Sequence, residues 1–236
     1  IKIQIGIMSC TCNILLFGSN ESTGLEVCRS LGRAGHRVTV LRFSAQKTAA
    51  DHSRFCAESL YLGSPDSGVS EYLSKLRDLL SSRTFDYFIP IDNLASELTY
   101  FNYKAISSLA SVVGPNQSSY TTAHNRFEAL ALAEHAGLVC PTTILVKQDG
   151  IPPTVLFPCL VRPVFSSAIL QDEPQNFSIR KVNSADELDA KLRDDLPRSD
   201  VMLQEPVGGF VVELNFCAID GEVLAVSVTV QLHEYY

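Results

Sequence analysis

The sequence predicts an α/β protein: a parallel sheet with helices on both faces, followed by a smaller region of α+β character. Three observations predict it. Short apolar runs alternate with helical patterns as far as residue 115. That alternation breaks after residue 146, where short strands, turns and a further helical pattern follow. Finally, 46% hydrophobic and 19% charged residues in a chain of 236 are enough to bury a sizeable core.

The elements follow in order. Residues 13–17 and 37–43 are apolar and read as buried parallel strands. Between them Leu25, Val27, Cys28, Leu31 and Ala34 recur at helical spacing, and Gly35 ends the helix. Residues 59–65 read as a short strand and turn. Residues 69–84 form an amphipathic helix with Leu73, Leu76, Leu79 and Leu80 on its inner face. A strand over 85–92, a helix over 95–110 and a strand and turn over 111–115 complete the first sheet.

A helix then spans 126–138 and a strand 140–146. After a turn near 148–154, a strand ends at Arg162-Pro163, and residues 165–178 read as a polar loop. A strand at 178–182 precedes a helix over 184–196 that Ser184 caps. Residues 201–207 read as a strand. Residues 210–232 read as an antiparallel hairpin turning at Asp220-Gly221. Residues 1–12 read as an N-terminal extension or tag, 13–116 as one domain, and 117–236 as part of a second.

Composition narrows the function. The net charge is −7 and no Lys/Arg stripe is present, which argues against nucleic acid as a partner. No apolar run reaches the ~20 residues that span a bilayer. The seven cysteines are scattered and mostly in apolar contexts, so they read as buried, reduced thiols of a cytoplasmic protein. The five histidines have no partners at metal spacing, and no G-x-S-x-G occurs.

The opening "NILLFGSNESTGLEV" invites a dinucleotide reading. From Gly18, however, the glycines run G-x-x-x-x-x-G rather than G-x-G-x-x-G, and no acid ends the second strand to hold a ribose. Arg42 stands there instead, suited to a 2′-phosphate or to a solvated strand end. A tight turn is the better reading, with an NAD(P)-binding or regulatory module as the alternative. Asn20, Glu21, Asp92 and Asn93 lie at strand carboxyl ends, where such sheets bind ligands; loop capping is the competing role.

Four later segments, "FDYFIPIDNLASEL", "AHNRFEALALAEHAGLVCPTTILV", "FPCLVRPV" and "VMLQEPVGGFVVELNFCAIDGEVLA", occur in an order that resembles the ATP-grasp superfamily. The likeness is to its carbamoyl-phosphate-synthase-like and carboxylate–amine ligase branches, from about residue 13 to the end. It implies a Rossmann-like pre-ATP-grasp domain over 13–116 that binds no dinucleotide, then part of an ATP-grasp domain over 117–236.

The resemblance places Arg126 and Arg162 at the ATP phosphates. It places Gln204, Glu205, Pro206 and Val207 at a hinge whose backbone meets adenine, and Glu213 at the ribose. A helix-start surface role for Arg126, an exposed strand end for Arg162 and an outward strand position for Glu213 remain open. The resemblance further implies a ligase using ATP and Mg²⁺, activating a small-molecule carboxylate as an acyl phosphate for attack by an amine or similar nucleophile. A homodimer is compatible with it.

Two departures matter. The segment after Arg162, "FSSAILQDEPQNFS", lacks the glycines expected of a phosphate-covering loop. The family's metal-binding acids also have no counterpart in this chain, and Asp220 and Glu222 are poor substitutes. The chain is therefore expected to be the front part of a longer enzyme or a degenerate relative, and inactive or weakly active by itself.

Overall fold

A computed structural model describes residues 10–147, 155–165 and 167–231. Residues 1–9 of the extension, the turn at 148–154, Ser166, His233 and Glu234 lie outside the described residues.

The first sheet is parallel. Its strands β1 (Asn13–Phe17), β2 (Arg37–Arg42), β3 (Cys56–Tyr61), β4 (Tyr87–Pro90) and β5 (Ser111–Val112) lie in the order β3-β2-β1-β4-β5. The chain doubles back at β1, so successive crossovers cover opposite faces. Helix α1 (Glu21–Arg33) follows β1, α2 (Val69–Ser82) follows β3, and α3 (Asn93–Phe101) with α4 (Tyr103–Ser107) follows β4. Both faces are packed. Leu15, Phe17, Leu76, Phe88 and Leu98 form one core, and Ile14, Leu16, Cys28, Val38 and Val40 the other. The expected helix over 95–110 breaks at Asn102, and the strand expected at 59–65 lies three residues earlier. Only Cys28 and Cys159 of the seven cysteines are buried; the remainder are partly or fully exposed.

Asp92 ties β1 to α3. Its Oδ1 accepts from the Ala95 N–H at 2.8 Å as the α3 cap, and its Oδ2 accepts from Ser19 N–H at 2.7 Å. Gly18 has φ +138°, and a Cβ there would sit 2.5 Å from that same Oδ2. The glycine at the end of β1 is thus required by a carboxylate of this chain.

Helices α5 (Gln117–His124) and α6 (Arg126–His135) lead to the second sheet; α5 stands where no helix was expected. That sheet is antiparallel, with β6 (Thr143–Val146), β7 (Cys159–Pro163), β10 (Arg180–Val182) and β11 (Val201–Gln204) in the order β10-β7-β11-β6. Helix α7 (Ala185–Asp195) packs Leu188 and Leu192 on Val161, Val182, Val201 and Leu203.

The segment expected as a loop is a hairpin, β8 (Ser167–Leu170) and β9 (Glu173–Asn176). Gln171 and Asp172, with φ of 51° and 65°, make its turn. The hairpin docks on the first domain. Ile169 packs on the first core, and Asp172 caps α2, accepting from Ser70 N–H at 2.8 Å and Ser70 Oγ–H at 2.6 Å. Residue 68, where α2 begins, is glycine and offers no side-chain cap.

Strands β12 (Val211–Ile219) and β13 (Glu222–Gln231) form the expected hairpin. One face carries Val212, Leu214, Phe216, Val226, Val228 and Val230, all of them exposed. The other carries Glu213, Asn215, Ser227 and Thr229. No helix among the described residues is long and apolar enough to cross a membrane.

Two outcomes follow. Asp92→Ala removes a cap and orphans the Ser19 amide, and should lower unfolding free energy by roughly 1–3 kcal/mol in urea titrations. Val228→Lys should reduce binding of a hydrophobic dye by the 236-residue chain, with its far-ultraviolet circular dichroism unchanged.

Candidate functional site

Alternation along the strands of the second sheet gives it two unlike faces. Val161, Val201 and Leu203 point to α7. Arg162, Met202 and Gln204 point the other way, since Met202 pairs with Arg162 across β11 and β7. There Arg162 Nη1 donates to Gln204 Oε1 at 2.5 Å, and Gln204 Nε2 donates to Thr143 Oγ1 at 3.0 Å. Gln204 is 3% exposed, so its amide is fixed at both ends. The sequence signal for this anchor is a polar residue closing the otherwise apolar strand "VMLQ".

Arg126 meets the end of β7, just past Arg162 and beside the start of β11. Its backbone N–H donates to the Val164 carbonyl at 3.0 Å. Its Nη1 donates to the carbonyls of Pro163 at 2.7 Å and Phe165 at 3.0 Å. Asn125 caps α6 and so fixes the start of the helix that presents Arg126. Arg126 is therefore neither a solvated helix-start residue nor a wholly uncommitted phosphate ligand: part of its guanidinium clamps the end of β7.

Both arginines are half-buried. Burial draws the Arg162 pKa below its ordinary value. For Arg126 burial does the same, and the positive charge of Arg162 adds to it. Arg162 Nε is buried and has no hydrogen-bond partner among the described residues. An anion with several oxygens would satisfy that donor and relieve the repulsion.

The remaining expected residues lie at or beyond the other end of β11, past Gln204. Glu205 N–H donates to the Thr142 carbonyl at 3.1 Å, and Glu205 Oε1 accepts from Thr142 N–H at 2.9 Å. Pro206 and Val207 are exposed, and among the described residues the Val207 N–H has no backbone partner. A largely apolar hollow of about 410 Å³ opens beside them, lined by Thr142, Ile144, Leu156, Pro158, Gln204 and Glu205 among others. Glu213 lies on the polar face of the β12–β13 hairpin, opposite Thr229, and is exposed.

The first-domain candidates stand apart as capping groups. Asn20 Oδ1 accepts from Thr23 N–H at 2.9 Å, capping α1, and Asp92 acts as described above. Glu21 and Asn93 are the first residues of α1 and α3. The Thr23 amide in the first turn of α1 is thus already engaged. Arg42 is no solvated strand end either: its Nη1 lies 3.4 Å from Asp51 Oδ1 and also bonds Ser59 Oγ. Burial opposes ionisation of Asp51, but Ser59, Thr48 and Arg42 together hold its carboxyl below the ordinary range. Among the described residues no group of three or more His, Cys, Asp or Glu side chains could hold a metal ion.

This succession, a five-stranded parallel sheet, a bridging helix pair, a four-stranded antiparallel sheet and a long hairpin, is the pre-ATP-grasp fold followed by ATP-grasp elements. Among solved structures, the chain is similar to an L-amino acid ligase from Bacillus licheniformis, with a TM-score of 0.67 and 16% identity over 93% of this chain and 51% of that one. It is likewise similar to an N5-carboxyaminoimidazole synthetase from Staphylococcus aureus complexed with ADP, with a TM-score of 0.64, 13% identity and coverage of 94% and 55%. A D-alanine–D-alanine ligase from Bacillus anthracis complexed with ATP matches at a TM-score of 0.56, 13% identity and coverage of 96% and 72%. The likeness is one of fold, and the chain spans about half the length of the first two. No protein-family model matches this sequence, and no curated protein does.

Gln204 tests the local geometry. Gln204→Ala leaves the Arg162 guanidinium without its amide acceptor and should destabilise the chain by about 1–3 kcal/mol in denaturant titrations.

Proposed function

We propose that this chain is the nucleotide-binding portion of an ATP-grasp ligase. The observation that carries this reading is the half-buried guanidinium of Arg162 near the end of β7, whose buried Nε has no hydrogen-bond partner among the described residues. Burying a cationic donor without a partner is costly, and a polyphosphate supplies negative charge with many acceptor oxygens.

In this reading Arg162, held by Gln204, takes the phosphates, and Arg126 stands beside it at the end of β7. The backbone of Glu205–Val207 meets the adenine edge, and Glu213 accepts from the ribose hydroxyls. The full enzyme would transfer the γ-phosphoryl group of ATP to a small-molecule carboxylate, giving ADP and an acyl phosphate. An amine nitrogen would then attack the acyl carbon, releasing phosphate and a proton and forming an amide. Mg²⁺, when bound, would screen the phosphate charge; no residue of this chain is assigned to it. The crevice at the ends of β1 and β4 is the proposed side of approach for the acceptor.

The dinucleotide alternative has less support, because Asp92 and Asn20 already take the Ser19 and Thr23 amides at the start of α1. Thermal unfolding separates the two. A non-hydrolysable ATP analogue at about 100 times its Kd should stabilise the chain by ~2.7 kcal/mol, and NADPH should not. Arg162→Met should weaken the analogue at least about tenfold, as expected for loss of a charge-assisted contact. Stabilisation by NADPH alone would reject the reading.

A further inference from the structure

A column of aromatic rings runs from the first domain to the arginine pair. Tyr103 stacks on Tyr100 at 5.4 Å between centroids, Tyr100 on Tyr120 at 3.7 Å, Tyr120 on His124 at 5.1 Å, and His124 on Phe165 at 5.3 Å. Successive planes differ by no more than 25°. The rings belong to separate elements: Tyr100 to α3, Tyr103 to α4, Tyr120 and His124 to α5, and Phe165 to the segment just past β7.

Polar contacts fix the column along its length. The Tyr100 hydroxyl donates to the Pro115 carbonyl at 2.8 Å. Glu97, also on α3, accepts from the Tyr120 hydroxyl at 3.1 Å, and its Oε2 lies 3.0 Å from His124 Nε2. The Glu97 and His124 side chains are each 16% exposed, so this contact is largely withdrawn from water.

Phe165 is where the column meets the site. Its ring stacks on His124, while its carbonyl accepts from Arg126 Nη1. The same arginine holds the carbonyls of Pro163 and Val164. A shift of the Phe165 ring therefore moves the acceptors that set the position of Arg126, and Arg126 neighbours Arg162.

We propose that Glu97, Tyr120 and His124 are positioning residues for the polyphosphate end of the nucleotide, acting through Phe165 on Arg126. None of the three needs to touch the ligand. The proposal rests on the nucleotide reading above, but its structural half, the coupling of the His124 ring to Arg126, is measurable without any ligand.

The test compares wild type, His124→Ala and His124→Phe in the full 236-residue chain. Isothermal titration with ATP and with adenosine gives the first readout. His124→Ala should weaken ATP about tenfold, a typical coupling between sites, and leave adenosine unchanged. His124→Phe keeps a ring between Tyr120 and Phe165 and should retain most of the ATP affinity. Hydrogen exchange of the Arg126 backbone amide gives the second readout. Its bond to the Val164 carbonyl should protect it in wild type and in His124→Phe, but not in His124→Ala.

Equal ATP affinity in wild type and His124→Ala, or equal losses for ATP and adenosine, would overturn the proposal. If the wild-type chain binds no ATP, the nucleotide reading fails separately. Exchange at Arg126 then decides: unchanged protection in His124→Ala overturns the positioning role, and selective loss supports it.

Discussion

A strand end that gathers positive charge inside the protein is the constraint on which the rest of this structure turns. Arg162 projects from β7 onto a face where the Gln204 amide oxygen meets it, and Arg126 reaches the end of the same strand from the start of α6. Neither position is cheap electrostatically. The surrounding structure answers with fixed dipoles: three consecutive carbonyls of residues 163–165 take Arg126, and Gln204 takes Arg162. These carbonyl and amide oxygens are neutral acceptors, which orient a cation without discharging it.

Much of this was legible in the sequence because it rests on local pattern. The apolar runs at 13–17 and 37–42, the helix with Leu73, Leu76 and Leu80 inward and the Asp220-Gly221 hairpin follow from periodicity and turn chemistry alone. The tight turn after Gly18 is shaped around Asp92.

What stayed hidden either lacks a local marker or depends on residues far apart in the chain. The β8–β9 hairpin turns at Gln171-Asp172, which lacks the glycine that marks such a turn, so its segment reads as a polar loop. Asn102 interrupts a helical pattern that periodicity alone would continue. Glu97 and His124 carry no motif; only the placement of α5 beside α3 joins them. The clamp on the β7 carbonyls was equally out of reach, since spacing says that Arg126 starts a helix but not which acceptors its guanidinium will find.

The cap that Asp172 lends to α2 has a bearing on how the chain can be divided. Sequence places a boundary near residue 116, yet one helix of the first unit begins without a capping side chain of its own, and Ile169 fills part of that unit's interior. A fragment cut at that boundary would leave the α2 amides open to solvent and a gap where the isoleucine sat. The first unit thus borrows its helix cap and part of its core packing from a hairpin that follows β7.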